Sequence, residues 1–241
     1  MKTPRETLDA EATVHDTATS TEITTNIADA DIAAADTLAF RELADTLRML
    51  GRMLNVVPDP SWTPSLVAAI DSMDNDAPGV ARMQTYVAEH RSDEPDKLVE
   101  AIAVDWTLAF RGMNPARGPR PPYAGAWMSS DGTGIDLMLA INTHYVNAGL
   151  ASSGNHLNRH DYLGVQLEFL AHLFDQMDTA LDDETRREAA HSALRFTEKF
   201  ILPWLPRYRA QVEERCSTEL WKGFLELTNA TLSDLRDQLN A

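Results

Sequence analysis

Residues 161–174 read DYLGVQLEFLAHLF, and this stretch decides the fold class. Its apolar residues recur every three or four positions, which is the spacing of one face of an α-helix. The pattern continues to residue 181, so it predicts a long central helix over residues 161–181. The predicted core-facing stripe of this helix consists of Leu163, Leu167, Leu170, Phe174 and Met177.

The same periodicity extends outward on both sides of the central helix. Leucines at positions 43, 47, 50 and 54 share one face and predict a helix that begins at residue 36 and ends before Pro58. No stretch alternates apolar and polar residues as a half-buried strand does. The sequence therefore predicts an all-α fold, a single compact helical bundle of about ten helices. The other predicted helices cover residues 64–73, 79–89, 92–112, 135–148, 183–201 and 217–239.

Glycines and prolines mark the boundaries between these helices. Gly149 is expected to end the helix before it in the left-handed conformation that favours glycine. Residues 113–125 are rich in proline and glycine, which predicts a loop. Pro203 and Pro206 predict a bend after residue 201.

The first 35 residues differ from the rest of the chain. They are rich in Thr, Ala and Asp and contain no helical apolar stripe. A segment of this composition buries too little apolar surface to offset its ordering entropy. We therefore expect a disordered acidic tail over residues 1–35 and one all-helical domain over residues 36–241.

The overall charge restricts the partners of the chain. The formal net charge is -16 and the pI is about 4.7, a sign that repels nucleic acid and anionic lipid and favours a cationic partner. No apolar run approaches the roughly 20 residues of a membrane-spanning helix. The lone Cys216 has no partner for an internal disulfide, which fits a reducing compartment. We expect a cytoplasmic protein that neither binds nucleic acid nor inserts into a membrane.

An aromatic and proline-rich segment is the first candidate binding site. Trp106 and Phe110 precede the predicted loop, and Tyr123 and Trp127 follow its stiff pair of prolines. Aromatic side chains beside a rigid loop favour an apolar groove for a peptide, although two such residues on a helix are equally typical of a core. The groove hypothesis predicts that Trp106→Ala or Phe110→Ala weakens peptide binding and leaves the helical fold intact.

The polar side of the central helix is the second candidate. Asp161, Glu168, His172 and Asp175 are spaced by seven, four and three residues, which places them on one face. Several carboxylates on one face are suited to holding an arginine of a partner, and an ordinary solvated helix face is the alternative interpretation. Asp161 stands close to the start of the helix, where a carboxylate also stabilises the helix dipole.

An enzymatic alternative rests on the adjacent pair His160 and Asp161. Such a pair occurs at the metal site of HD-type phosphohydrolases, but that chemistry requires several ligands that converge on one metal ion. The sequence contains no paired His or Cys ligand spacing, no phosphate-binding loop and no nucleophile motif. We therefore predict a protein that is not an enzyme, with no cofactor and no metal site, and keep the phosphohydrolase as the alternative of another class.

Three segments carry a family resemblance. They are residues 105–112 with 120–127 (DWTLAFRG and RPPYAGAW), residues 161–174, and residues 200–208 (FILPWLPRY). In this order they resemble the TorD/DmsD/NarJ family of redox-enzyme maturation chaperones, with the TorD/DmsD branch favoured. Ala109 stands where the family usually has leucine, and Tyr162 stands where it usually has histidine.

The resemblance implies a function and a set of site residues. Members of the family are all-helical, cytoplasmic and not enzymes. They bind the twin-arginine signal peptide, and sometimes the body, of a molybdopterin-containing oxidoreductase of the DMSO-reductase type, and they hold back its export until the cofactor is inserted. A NarJ-like chaperone, whose client lacks that signal, is the alternative, and a homodimer is the alternative to a monomer. The implied peptide-binding residues are Trp106, Ala109, Phe110, Gly112, Pro121, Pro122, Tyr123, Trp127, Asp161, Tyr162 and Glu168.

Overall fold

The computed structural model describes residues 37–91, 94–112, 118–130, 134–150 and 159–240. Over these ranges the chain forms ten α-helices and no β-strand, which confirms the all-α prediction. The predicted tail, residues 1–35, lies outside the described residues. The helices are α1 (Thr37–Asn55), α2 (Thr63–Asp71), α3 (Val80–His90), α4 (Pro95–Arg111), α5 (Ala124–Met128), α6 (Ile135–Asn147), α7 (Leu163–Thr179), α8 (Asp183–Phe200), α9 (Leu205–Arg215) and α10 (Glu219–Leu239).

The central helix α7 packs along α1. All five residues of its predicted stripe are buried, as the periodicity requires. The two helices approach closely because glycines face each other: a Cβ atom on Gly51 would lie 3.1 Å from the Gly164 carbonyl oxygen, and one on Gly164 would lie 2.5 Å from Asn55 Oδ1. The start of the helix was predicted two residues too early, because Tyr162 has extended backbone angles and precedes the first helical residue.

A second close contact joins α3 to α10. A Cβ atom on Gly223 would lie 2.5 Å from the carbonyl oxygen of Gly79, whose own φ of 81° lies in the left-handed region. Beside this contact the guanidinium of Arg82 donates to both carboxylate oxygens of Glu213 and pairs with Glu219. The third helix is thereby attached to both α9 and α10.

Two helices were not assigned from the sequence. The helix α5 has only five residues, too few for a periodic pattern, and it lies partly within the predicted loop 113–125, of which residues 113–117 are outside the described ranges. Pro206 was interpreted as a bend, yet it occupies the first turn of α9. Proline is accepted there because a first-turn residue needs no N–H donor within the helix. Gly149 has the predicted left-handed conformation, with a φ of 80°.

No helix in the described ranges is both long enough and apolar enough to cross a membrane.

The contact between α3 and α10 generates a stability prediction. Alanine is a better helix former than glycine by about 1 kcal/mol, so Gly223→Ala would stabilise an unhindered helix. Here we expect the opposite, a loss of about 2 kcal/mol in the free energy of unfolding, because the added methyl group meets the backbone of α3. Urea denaturation followed by circular dichroism measures this change. Gly149→Ala is the control, since its methyl group meets no atom within 4 Å and it introduces only the strain of a positive φ. A Gly223→Ala protein as stable as the parent would contradict the close packing.

Candidate functional site

The first and second of the three segments meet at the carboxyl end of α1. The indole N–H of Trp106 donates to the Met53 carbonyl oxygen at 2.8 Å, and the hydroxyl of Tyr162 donates to the Leu54 carbonyl oxygen at 2.7 Å. Carbonyls in the last turn of a helix have no partner within that helix, so buried ones need donors from elsewhere. Burial raises the pKa of Tyr162 well above its ordinary value, which keeps this phenol protonated as a donor. Two side chains from distant parts of the sequence thus terminate α1.

The proline segment is joined to the start of α7. Tyr123 and Tyr162 form an isolated antiparallel bridge, and their rings lie 5.1 Å apart. The backbone N–H of Leu163 donates to the Pro122 carbonyl oxygen at 2.9 Å. The backbone N–H of Ala124 donates to the Asp161 carbonyl oxygen at 2.8 Å. The first and second segments therefore form one joint, in which backbone hydrogen bonds set the register.

The carboxylate of Asp161 lies inside this joint. The side chain is fully buried and accepts the backbone N–H of Gly125 at 2.9 Å. It also accepts two N–H groups of Arg159, at 3.0 and 3.1 Å. A buried carboxylate that is already paired in this way has little capacity left for a guanidinium of a partner. Its visible role is to hold the loop of Gly125 against the start of α7.

The third segment packs on the first. The indole rings of Trp127 and Trp204 stack with centroids 6.2 Å apart, and the Tyr208 hydroxyl donates to the Ala109 carbonyl oxygen at 3.1 Å. The indole N–H of Trp127 donates to the Pro121 carbonyl oxygen at 3.0 Å. All three segments are therefore parts of one packed assembly, which we call the motif joint.

The structure corrects the idea that the aromatic residues line an open groove. The side chains of Trp106, Phe110 and Trp127 are buried, and so is Ala109. The ring of Phe110 packs edge-on against Trp221 of α10 at 5.2 Å. Deleting a buried aromatic side chain costs about 3–5 kcal/mol, so Trp106→Ala and Phe110→Ala are not expected to leave the fold intact. A role of these residues in peptide binding stays a prediction.

The polar stripe predicted for α7 is also corrected. Asp161 precedes the helix and is buried, whereas Asp175 forms an ion pair with Arg48. The His172 imidazole lies 3.1 Å from the Ala148 carbonyl oxygen. Glu168 and Asp175 each pair with a residue of α1, Asn55 and Arg48, so the four side chains do not form one open acidic face.

A small part of the motif joint is accessible. Glu168 is exposed, and its carboxylate accepts the Asn55 amide at 2.7 Å. Val56 and Val57, which follow Asn55, are exposed large apolar side chains. The ring of Tyr123 is partly exposed and lies 5.6 Å from the guanidinium of Arg159. We call this surface, defined by residues 55–57, Tyr123 and Glu168, the motif face.

Gly112 and Pro121 shape the edge of the joint. Gly112 ends α4 with a φ of 63°, and a Cβ atom added to it would lie 2.8 Å from Pro121 Cδ. Pro121 is partly exposed, whereas Pro122 is buried. The glycine in the first segment is therefore required by backbone conformation and by the approach of the proline.

Asp105 has a structural role that the sequence did not reveal. Its buried carboxylate accepts the backbone N–H groups of Ser217 and Thr218, at 2.8 and 2.5 Å, and so caps the start of α10 from α4. More than a hundred residues separate the partners, so no local motif predicts the contact.

Burial, and then the nearby Asp105, raise the pKa of Cys216 to about 12. The thiol is therefore protonated at neutral pH and is a poor nucleophile.

The phosphohydrolase alternative gains no site from this geometry. In the portion of the chain with described positions, no group of three or more His, Cys, Asp or Glu side chains is placed to hold a metal ion. His156, a further histidine of the chain that such a site could recruit, lies outside that portion. The carboxylate of Asp161 is directed at Arg159 and Gly125, and the His160 carbonyl oxygen accepts the Tyr145 hydroxyl at 2.8 Å.

A family match, together with the all-helical fold and the three ordered segments, assigns the protein to the class of redox-enzyme maturation chaperones. Residues 72–210 match the model of the nitrate reductase delta subunit family, and the match covers more than half of the 241 residues. The chain therefore belongs to this family, a family of molybdoenzyme maturation chaperones and not of catalysts. No curated protein matches the chain significantly. The matched range contains all three segments, and the TorD/DmsD branch stays a prediction.

The hydrogen bond of Tyr162 generates a second stability prediction. Tyr162→Phe leaves the buried Leu54 carbonyl without its donor, and we expect a loss of about 1–2 kcal/mol in the free energy of unfolding. Tyr123→Phe is the matched control, because its ring is partly exposed and a lost hydroxyl can be replaced there by water. Urea denaturation of both variants measures the difference. Equal stabilities of the two variants would show that the carbonyl at the end of α1 does not depend on Tyr162.

Proposed function

We propose that this chain is a cytoplasmic chaperone that binds the twin-arginine signal peptide of a molybdopterin-dependent oxidoreductase precursor, of the DMSO-reductase type, and retains it until the cofactor is inserted. The observation that carries the proposal is the family match over residues 72–210, which includes every segment of the motif joint. The side-chain chemistry favours binding over catalysis. The buried polar groups of the joint, such as Asp161 and Tyr162, hold the protein's own backbone in place. The buried site residues, Trp106, Ala109, Phe110, Pro122, Trp127, Asp161 and Tyr162, act as the framework of the peptide site.

The motif face supplies the contacts of the proposed peptide site. Glu168 offers an exposed carboxylate whose hydrogen bond comes from a neutral amide, that of Asn55. A guanidinium makes a stronger, charge-assisted bond to a carboxylate than an amide does, so an arginine of the client can replace Asn55. Val56 and Val57 lie directly beside Asn55 in the chain and offer apolar contact to the segment that follows the arginines. Asp161 does not take part directly, because Arg159 already neutralises it.

A second candidate function is favoured by the description of the matched family. That description names a nitrate reductase subunit, so a client of this type, without a twin-arginine signal, is the alternative. Such a client would contact Val56, Val57 and Tyr123 and would depend little on Glu168.

The client class is tested by a pull-down from native cytoplasm with the full chain as bait, read by mass spectrometry. We expect the precursor of a molybdoenzyme, and we expect its N-terminal peptide to bind the pure chain in a titration. Replacement of both peptide arginines by glutamine should weaken binding at least about tenfold, because two charge-assisted bonds are lost. Recovery of a client without paired arginines would support the nitrate-reductase-type alternative. Failure to recover any molybdoenzyme would contradict the proposal.

The motif face is tested by Glu168→Gln. We expect this variant to bind the client's N-terminal peptide about fivefold more weakly at low salt, with a smaller difference at high salt, because an exposed ion pair is worth about 1 kcal/mol and is screened. Fluorescence anisotropy of a labelled peptide measures both affinities. Glu198→Gln is the matched control, since Glu198 is an exposed glutamate of α8 and not part of the motif face. Identical affinities of the two variants at every salt concentration would remove Glu168 from the site.

A further inference from the structure

A cleft of about 590 Å³ lies between the carboxyl end of α6, residues 169–179 of α7 and residues 185–195 of α8. Its floor is apolar, and the buried side chains of Phe169, Leu173 and Ala189 line it. Leu181, in the turn between α7 and α8, is fully exposed and lines the same cleft. None of the eleven candidate peptide-binding residues belongs to the lining. The cleft has the volume of a binding site and carries an uncovered leucine at its edge.

The charges that line the cleft are separated along α8. Asp182 and Glu188 are exposed in the first half of this region, and Arg195 is exposed further along. Backbone and hydroxyl hydrogen bonds from Thr185 lower the pKa of Asp182, so this carboxylate is charged at neutral pH. Among the described residues, the side chain of Glu188 has no ion-pair or hydrogen-bond partner. At 1.5 Å per helical residue, Glu188 and Arg195 are about 10 Å apart along the axis.

The opposite wall contributes no positive charge. Asn147 and Ala148, at the carboxyl end of α6, line the cleft. Burial lowers the pKa of His144, and nearby Lys199 and Arg195 lower it further, so its imidazole is neutral at pH 7. The wall formed by α6 therefore adds no cation that would compete for the carboxylates of Asp182 and Glu188.

We propose that this cleft docks a short amphipathic helix of the client, separate from the signal peptide, whose apolar side chains cover Leu181 and the floor and whose basic residue faces Glu188. The proposal rests on the proposed chaperone function, since the helix is supplied by the client. The charge separation orients the docked helix parallel to α8. In this direction the carboxyl end of the docked helix, which has a partial negative charge, lies beside Arg195.

A second copy of this chain fits the cleft less well. Each copy carries a formal charge of -16, so two copies repel each other. A stable dimer buries about 800 Å² on each partner, more than one leucine and a narrow cleft offer. A single helix needs only a few apolar anchors and a charge contact. Two separate contacts with one client would also raise the effective concentration of each segment at its site.

The experiment uses the full chain and two synthetic amphipathic peptides of about 14 residues, long enough for some helix content. Both have the same leucine stripe, and one carries lysines where the other carries glutamates on the polar face. A fluorophore on Ser192→Cys, in the lining of the cleft, reports binding at that place, since the natural Cys216 is buried. We expect the lysine peptide to bind at least about tenfold more tightly than the glutamate peptide at 0.15 M salt, and we expect it to change the fluorescence.

Matched variants separate the cleft from general attraction to an acidic protein. We expect Leu181→Ser and Glu188→Gln each to weaken the lysine peptide about fivefold, which corresponds to about 1 kcal/mol. Val104→Ser and Glu198→Gln are the controls, because Val104 is another exposed large apolar residue and Glu198 another exposed glutamate of α8, and neither lines the cleft. We expect both controls to bind as the parent chain does.

Several results would overturn the proposal. They are no binding of the lysine peptide, equal affinities of all four variants, or a dimer in sedimentation that Leu181→Ser dissociates. The proposed chaperone function fails separately, through the pull-down and the titration of the client's N-terminal peptide. If that peptide binds and the lysine peptide does not, the function stands and the cleft is not a docking site. If the lysine peptide binds at the cleft and no molybdoenzyme is recovered, the cleft binds a helix and the client assignment is overturned.

Discussion

The carboxyl end of α1 must be capped by residues from other parts of the chain, and this requirement organises the structure around it. Its last carbonyl groups are buried, and a buried carbonyl without a donor is costly. Trp106 and Tyr162 supply the donors, so α4 and the start of α7 must both stand at this end. The bridge between Tyr123 and Tyr162 then holds the proline segment, and the stacking of Trp127 on Trp204 adds the third segment. The three segments that mark the family are therefore held together by one structural requirement.

The need to cap the buried carbonyls of α1 explains why the three segments contain the residue types of a peptide-binding site. Indole and phenol groups combine a large apolar surface with one hydrogen-bond donor, which suits both peptide recognition and the capping of buried carbonyls. In this chain the buried aromatic residues do the latter, and only the edge of the joint reaches solvent. The family match establishes a maturation chaperone. We propose that recognition of a client begins from accessible groups, such as Glu168, on this framework.

Local pairing, and not net charge, decides what each carboxylate does. Asp105 and Asp161 are buried and hold the protein's own backbone, at α10 and at the joint respectively. Arg82 joins three helices through acidic residues of α9 and α10. The charge of -16 therefore does not describe one uniform acidic surface. At the cleft beside α8, carboxylates and Arg195 stand at different positions along one helix, which gives that surface a direction.

The fold class, most helix positions and the family could be predicted from the sequence, because helical periodicity and short ordered motifs are local properties. The core stripe of α7, the helix end at Gly149 and the all-helical architecture were all predicted correctly. The sequence did not reveal α5 or α9. The helix α5 is too short to show a helical period, and the proline in the first turn of α9 resembles a helix-breaking residue. The burial of Trp106 and Phe110, the pairing of Asp161 with Arg159 and the capping of α10 by Asp105 became evident only in the folded structure. Burial and pairing depend on contacts between residues far apart in the chain, and local spacing along the sequence carries no information about such contacts.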